Sequence, residues 1–245
     1  MCSMQQCSFK GSSSLLRTNT FRTEKYIFAP FVLRISSSRT RKYPSIPRAV
    51  CSVDEIPPNA LRRRTDRNWR GGFSLGVDLG LSRTGVALSK GFSVRPLTVL
   101  SLRGQKLELR LLEIAEMEEV DEFIIGLPKS SDGKETVQSN KVRSVAGRLA
   151  VRAAERGWRV YVLDEHGTSS EASDRMIVMG LSKNERKQRT DAYAAVILLE
   201  RYFSTRGVGA EIILPKCQQL QEKIKKGSPL DPDFSPGKSE EHFTF

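Results

Sequence analysis

The chain has 245 residues, 38% of them hydrophobic, which suffices for one ordinary domain with tails but not for a core along its whole length. Its net charge of +12 first suggests a nucleic-acid partner, yet residues 1–50 hold nine Lys/Arg against one acid, Glu24, so only about +4 remains for the rest. Four cysteines without a CxxC pair and two histidines exclude a disulfide framework and a Cys- or His-based metal site, and no run of about 18 apolar residues is present to span a membrane. Any metal must be held mainly by oxygen, and no membrane partner is expected.

Residues 1–51, rich in Ser, Thr and Arg, have the composition of a transit peptide. The stretch RAVCSV resembles chloroplast processing sites, so cleavage is expected near Cys51. Chloroplast is the expected destination, with mitochondrion as the alternative. Residues 52–71, polar with Pro57, Pro58 and Arg62–Arg64, read as a linker. The domain proper is expected over 72–205. Phe73–Gly80 and Thr84–Ser89 read as two strands joined by a short turn, and Val94–Leu102 as a third. Leu107, Leu111, Ile114 and Ala115 mark a helix running to about Glu119. Glu122–Leu127 is a short apolar strand ended by Pro128. Val142, Val145, Ala146, Leu149 and Ala153 give a longer helix, stopped by Gly157. Arg159–Glu165 is the next strand, then come a short helix around Ser170–Met179 and a longer one from about Glu185 to Phe203. Residues 206–245 are a C-terminal extension, with a short apolar run at Ile212–Leu214, a helix-like segment to Lys226, and a Pro-rich end expected to be disordered. Three strands followed by alternating helices and strands imply an α/β fold. The order matches an RNase H-like domain, a mixed five-stranded sheet with flanking helices.

The acids fall where such a domain does its chemistry. Leu75, Val77 and Leu79 share one strand face; Gly76, Asp78 and Gly80 share the other, which has no bulk and leaves room for a phosphate backbone. A carboxylate inside a strand is costly unless paired or metal-bound. Asp164 and Glu165 end a strand, and alternation lets only one of them point to Asp78's face, without saying which. Asp191 stands four residues before Ala195 in the stripe Ala195, Leu198, Leu199 and Tyr202, hence on the buried helix face. Two or three carboxylates with substrate phosphate suffice for Mg²⁺ or Mn²⁺. Around them lie Arg83, close enough to reach a phosphate, and a cluster of Lys183, Arg186, Lys187 and Arg189.

The blocks GVDLGLSRTGVALS, EFIIGLPKSSDGKETVQSNKVRSVAGRL, VLDEHGTSSEA and TDAYAAVILLERYF, in this order, resemble the YqgF family of Holliday junction resolvases or pre-ribosomal-RNA nucleases. The resemblance spans Phe73–Phe203. It implies an RNase H-like fold related to RuvC, metal-dependent phosphodiester cleavage, a nucleic-acid partner (branched DNA or structured precursor RNA) and a homodimer. It places catalytic carboxylates at Asp78, Asp164, Glu165 and Asp191, and substrate contacts at Arg83, Gly126, Pro128 and Arg143, to which the basic cluster adds Lys187 and Arg189. The working metal set is Asp78, Glu165 and Asp191, with Asp164 the open alternative to Glu165. One departure stands out: the family has Asp-Glu-Arg and a hydrophobic residue where this chain has Asp164-Glu165-His166-Gly167. An always-charged, bidentate phosphate binder is thereby replaced by a side chain mostly neutral near pH 7. A non-catalytic nucleic-acid-binding or ribosome-assembly protein is accordingly the alternative function.

Overall fold

The structure is a computed structural model that describes residues 56–65, 72–91 and 93–227. The transit-peptide reading and the Pro-rich end after 227 lie outside the described residues. Among the described residues twelve elements follow one another: α1 (Asn59–Thr65), β1 (Phe73–Leu79), β2 (Thr84–Lys90), β3 (Ser93–Leu100), α2 (Gly104–Met117), β4 (Val120–Leu127), α3 (Val137–Ala154), β5 (Arg159–Asp164), α4 (Thr168–Val178), α5 (Lys183–Ser204), β6 (Glu211–Ile212) and α6 (Gln218–Lys226).

The sheet order is β3-β2-β1-β4-β5-β6. Short turns connect β1, β2 and β3 as antiparallel neighbours, whereas α2 and α3 are the crossovers that let β1, β4 and β5 run parallel. This is the RNase H-like α/β fold. The two sheet faces follow strand alternation. Leu75, Val77, Val86, Leu88, Phe123 and Ile125 pack with α2 and α3 through Leu111, Val142 and Leu149. Ala87, Ile124, Tyr161 and Leu163 meet α5 through Ala195, Leu198, Leu199 and Tyr202. Because β1, β4 and β5 are parallel, their C-terminal ends share one edge, and there lie Asp78, Leu127 and Asp164.

Two expectations are corrected. The sheet has six strands, not five: β6 adds antiparallel to β5 through Tyr161–Ile212 and Val162–Glu211. It is only two residues long, too short for the alternation of the sequence to reveal it. The segment expected to be a linker is built into the domain over its described part, 56–65. Ile56 and Asn59 are buried. The Asn59 amide donates to Glu122 Oε2 at 2.8 Å, its side-chain nitrogen to Asp121 Oδ1 at 2.9 Å, and its Oδ1 accepts from Arg159 at 2.8 Å. Polar composition suggested a linker because the anchoring partners are charged residues about 60 and 100 positions away.

Candidate active site

Three elements bring three acids together at the C-terminal edge of the parallel strands. Asp78 is the last polar residue of β1 and pairs in register with Gly85 of β2. A Cβ on Gly85 would stand 1.9 Å from the Asp191 carbonyl oxygen, and one on Gly76 would stand 2.6 Å from Leu199 Cγ. Only glycine at both positions lets α5 lie this close to the sheet, and that approach delivers Asp191 to Asp78. Of the two glycines expected to leave room for a phosphate backbone, Gly76 thus clears space for a helix, and a Cβ on Gly80 would stand 2.7 Å from the Arg83 carbonyl oxygen of the turn.

Glu165 follows β5, and its carboxylate comes close enough to that of Asp78 for the Asp78 charge to raise its cost of ionising. It reaches there across β4: a Cβ on Gly126 would lie 1.9 Å from Glu165 Oε2. Alternation is what separates the strand-end pair. Asp164 turns away, accepts from the His166 amide at 2.9 Å, and lies 3.7 Å from Lys129 Nζ. The structure thus brings Asp78, Glu165 and Asp191 together and leaves Asp164 as a loop cap. The loop is braced by Arg201, which donates to the His166 carbonyl at 2.9 Å, and turns at Gly167, whose φ of 79° suits glycine.

Burial and mutual repulsion shape the electrostatics. Desolvation, then the neighbouring Asp191 charge, pushes Asp78 up to about 6, against a lowering contact with Glu165. Desolvation, then Asp78, pushes Glu165 up to about 8. Two carboxyls this close cannot both ionise without a compensating cation, so at neutral pH they hold a proton between them. Glu165 Oε2 and Asp191 Oδ2 are buried without a hydrogen-bond partner among the described residues. Arg83 Nε lies 2.8 Å from Asp191 Oδ2 as an ion pair, while Arg83 Nη1 donates to the Lys187 carbonyl at 3.0 Å.

Hard oxygen donors with orphaned lone pairs suit Mg²⁺ or Mn²⁺. Among the described residues no three His, Cys, Asp or Glu side chains stand placed to hold a metal ion together, and Asp191 is paired with Arg83. The fit is therefore one of donor chemistry and unsatisfied oxygens.

The remaining expected residues divide. Lys187 and Arg189 are exposed on the first turns of α5, ahead of Asp191. Arg186 instead folds back, donating to the Leu181 carbonyl at 2.7 Å. Pro128 ends β4, and its carbonyl accepts from Ser139 Oγ, which fixes the start of α3. Arg143 is gripped by Glu135 and Glu211, with contacts from 2.6 to 3.1 Å, and these two carboxylates hold its pKa above the usual guanidinium value. The structure places it in an ion-pair network rather than among the three acids. Sequence reasoning missed the brace Arg201 and the anchor of α1; the one available signal was charge inside apolar strands, at Asp121, Glu122 and Arg159.

Relatives share the domain. A Thiobacillus denitrificans protein provisionally named pre-16S rRNA nuclease is 35% identical over 139 residues, 55% of this chain and 93% of that protein. One from a Nocardioides species with the same provisional name is 36% identical over 148 residues, 58% of this chain and 94% of its own. The solved Thermus thermophilus RuvC in complex with a Holliday junction substrate aligns with 58% of this chain and 99% of that one, at 19% identity and a TM-score of 0.40. Residues 72–205 match the family described as RuvX, Holliday junction resolvase, and the chain belongs to that family.

Proposed function

We propose that this chain is a metal-dependent endonuclease that hydrolyses phosphodiester bonds in structured nucleic acid. The observation that carries this is the convergence of Asp78, Glu165 and Asp191, with Glu165 Oε2 buried without a hydrogen-bond partner and Asp191 Oδ2 met by the Arg83 ion pair. Mg²⁺ or Mn²⁺, held by these three acids, would neutralise them and stabilise the attacking and leaving oxygens of the displacement. Arg83 orients Asp191 and, with the exposed Lys187 and Arg189, lines the approach with positive charge for phosphates. With a cation held there, the ionised form of both Asp78 and Glu165 would be favoured, their shared proton passing to solvent. Asp164 is a positioning residue: it caps the loop that carries Glu165. The names of the relatives favour precursor 16S ribosomal RNA as substrate, and the family description favours branched DNA.

The composition of residues 1–51 supports plastid import, and homodimer assembly follows the family resemblance. Incubating the chain with precursor ribosomal RNA and with a four-way DNA junction, each with and without Mn²⁺, tests the activity. Cation-dependent cleavage of either is the expected result, and the preferred one names the substrate. Binding without cleavage of both would replace the nuclease with the ribosome-assembly reading. Residues 1–51 fused to a fluorescent protein should direct it to plastids; a diffuse cytosolic signal would remove that part.

A further inference from the structure

A second basic site lies at the other end of α5. A cavity of about 520 Å³ opens between α1, the start of β3 and the end of α5, lined by Arg63, Arg64, Val94, Glu200, Phe203 and Arg206 among others. Its charge is one-sided. Glu200 is already held by Arg175 through two contacts of 2.7 Å, so its charge is compensated. Arg63 forms the floor, with its guanidinium 4.0 Å over the Phe203 ring and a hydrogen bond of 3.1 Å to Ser89 Oγ. Arg64 and Arg206 are exposed at the mouth, and among the described residues no hydrogen bond or ion pair engages either side chain.

Two further observations point to a ligand. The three arginines all lie outside the stretch 72–205 that matches the family, so the extensions of this chain supply the charge while the family domain supplies Val94, Glu200 and Phe203. Arg206 also sits just past the α5 cap with φ of 60°, a left-handed position at which helices usually place glycine, and Gly207 follows immediately. The chain holds an arginine where the backbone favours no side chain, at the rim of a cationic cavity.

We propose that this cavity binds a phosphodiester group of the nucleic acid cleaved at the Asp78 cluster, as an auxiliary clamp on the strand beyond the cleavage point. The choice of nucleic acid over another phosphate rests on the nuclease reading above. Phe203 is twelve positions after Asp191 on α5, which at about 1.5 Å per residue is ~18 Å along the helix axis. At about 3.4 Å per nucleotide of each duplex strand, that offset is roughly five base pairs. A stem of that length running beside α5 would be long enough to reach from one site to the other, and the clamp would select substrates with a duplex flank of at least that length.

The test compares the full chain with the double variant Arg64→Ala/Arg206→Gly. Binding of a 20-base-pair (about two helical turns) RNA duplex is titrated with salt in Ca²⁺. Losing two phosphate contacts should make the slope of log affinity against log salt shallower by roughly two. Between about 50 and 200 mM salt the wild type should then lose about tenfold more affinity than the variant. The melting temperature should stay level or rise, because glycine relieves position 206; a fall in both stability and binding at Arg206→Gly alone would assign the residue to the fold and overturn the clamp. Unchanged affinity and slope, with Mn²⁺-dependent cleavage intact in the wild type, would also overturn it and leave the nuclease standing. A shallower slope in a chain that cleaves nothing would keep the clamp and reject the nuclease. Stabilisation by inorganic phosphate that needs Arg64 and Arg206, with duplex binding unaffected, would make the occupant a small phosphate and overturn the strand assignment.

Discussion

Both ends of the parallel strands bury carboxylates, and they treat them differently. At the N-terminal end Asp121 and Glu122 are buried with every oxygen engaged. Glu122 Oε1 accepts from Ser74 and Tyr202, each at 2.8 Å, and its Oε2 from the Asn59 amide. The oxygens of Asp121 accept from Asn59 and Arg159. At the C-terminal end Asp78 is crowded by Glu165 and Asp191, with Arg83, on Asp191 Oδ2, the only cation paired to any of them among the described residues, and neither that oxygen nor Glu165 Oε2 accepts a hydrogen bond. A complete network tolerates buried charge and fixes the fold, here by tying α1 to the sheet. An incomplete one costs stability and persists where a ligand completes it. The contrast separates a structural carboxylate cluster from a chemical one without reference to family.

The sharpest way to break this comparison is to neutralise one acid at each end. Asp78→Asn and Glu165→Gln should abolish cleavage while leaving the melting temperature level or higher, since each removes repulsion. Asp164→Asn should keep most activity, because Asp164 caps a loop and lies off the cluster. Cleavage assays beside thermal melts decide it, and loss of activity in all three with equal loss of stability would erase the distinction. Arg159→Met should do the reverse. It strips the counter-charge from Asp121 and Glu122 and should cost about 3–5 kcal/mol in denaturant unfolding, the usual penalty for one-sided disruption of a buried pair. If the folded fraction is kept high, cleavage per folded molecule should be unchanged.

The pH dependence of stability is a gentler probe. Asp78 and Glu165 have folded-state pKa values raised above ordinary carboxylates, to about 6 and about 8. Their stabilising contribution is complete below the unfolded value near 4 and is lost as pH rises through 6 to 8. The metal-free protein should therefore lose stability across that window. Mg²⁺ should restore it most at the alkaline end, and Asp78→Asn should flatten the profile. A profile indifferent to Mg²⁺ at pH 8 would mean that no cation completes the cluster. The smallest effect is expected at Arg143, whose exposed ion pairs with Glu135 and Glu211 place it outside both clusters. Arg143→Gln should cost at most about 1 kcal/mol and leave the salt slope of nucleic-acid binding unchanged. A shallower slope would return this residue to the substrate path.

Element type and order were legible in the chain because periodicity is local. The alternation of β1 put Asp78 opposite Leu75 and Val77, and the stripe of α5 put Asp191 on its buried face, as the structure has them. Family likeness in the four sequence blocks named the same acids. Local signals could not say which of Asp164 and Glu165 turns inward: that depends on where β5 ends against β4 and on the space that Gly126 leaves across the strand. Nor could they show that Arg143 is occupied by Glu211, 68 positions away, or that a polar segment ahead of the domain is anchored by Asp121, Glu122 and Arg159. Sequence by itself determined the main strands and helices, the sheet faces and the placement of Asp78 and Asp191, since these follow from backbone geometry and side-chain pattern over a few residues. Tertiary structure alone decided which carboxylates are satisfied and which are left open, because a carboxylate's partners here come from strands and helices tens of residues apart, and only their packing sets whether its charge is compensated.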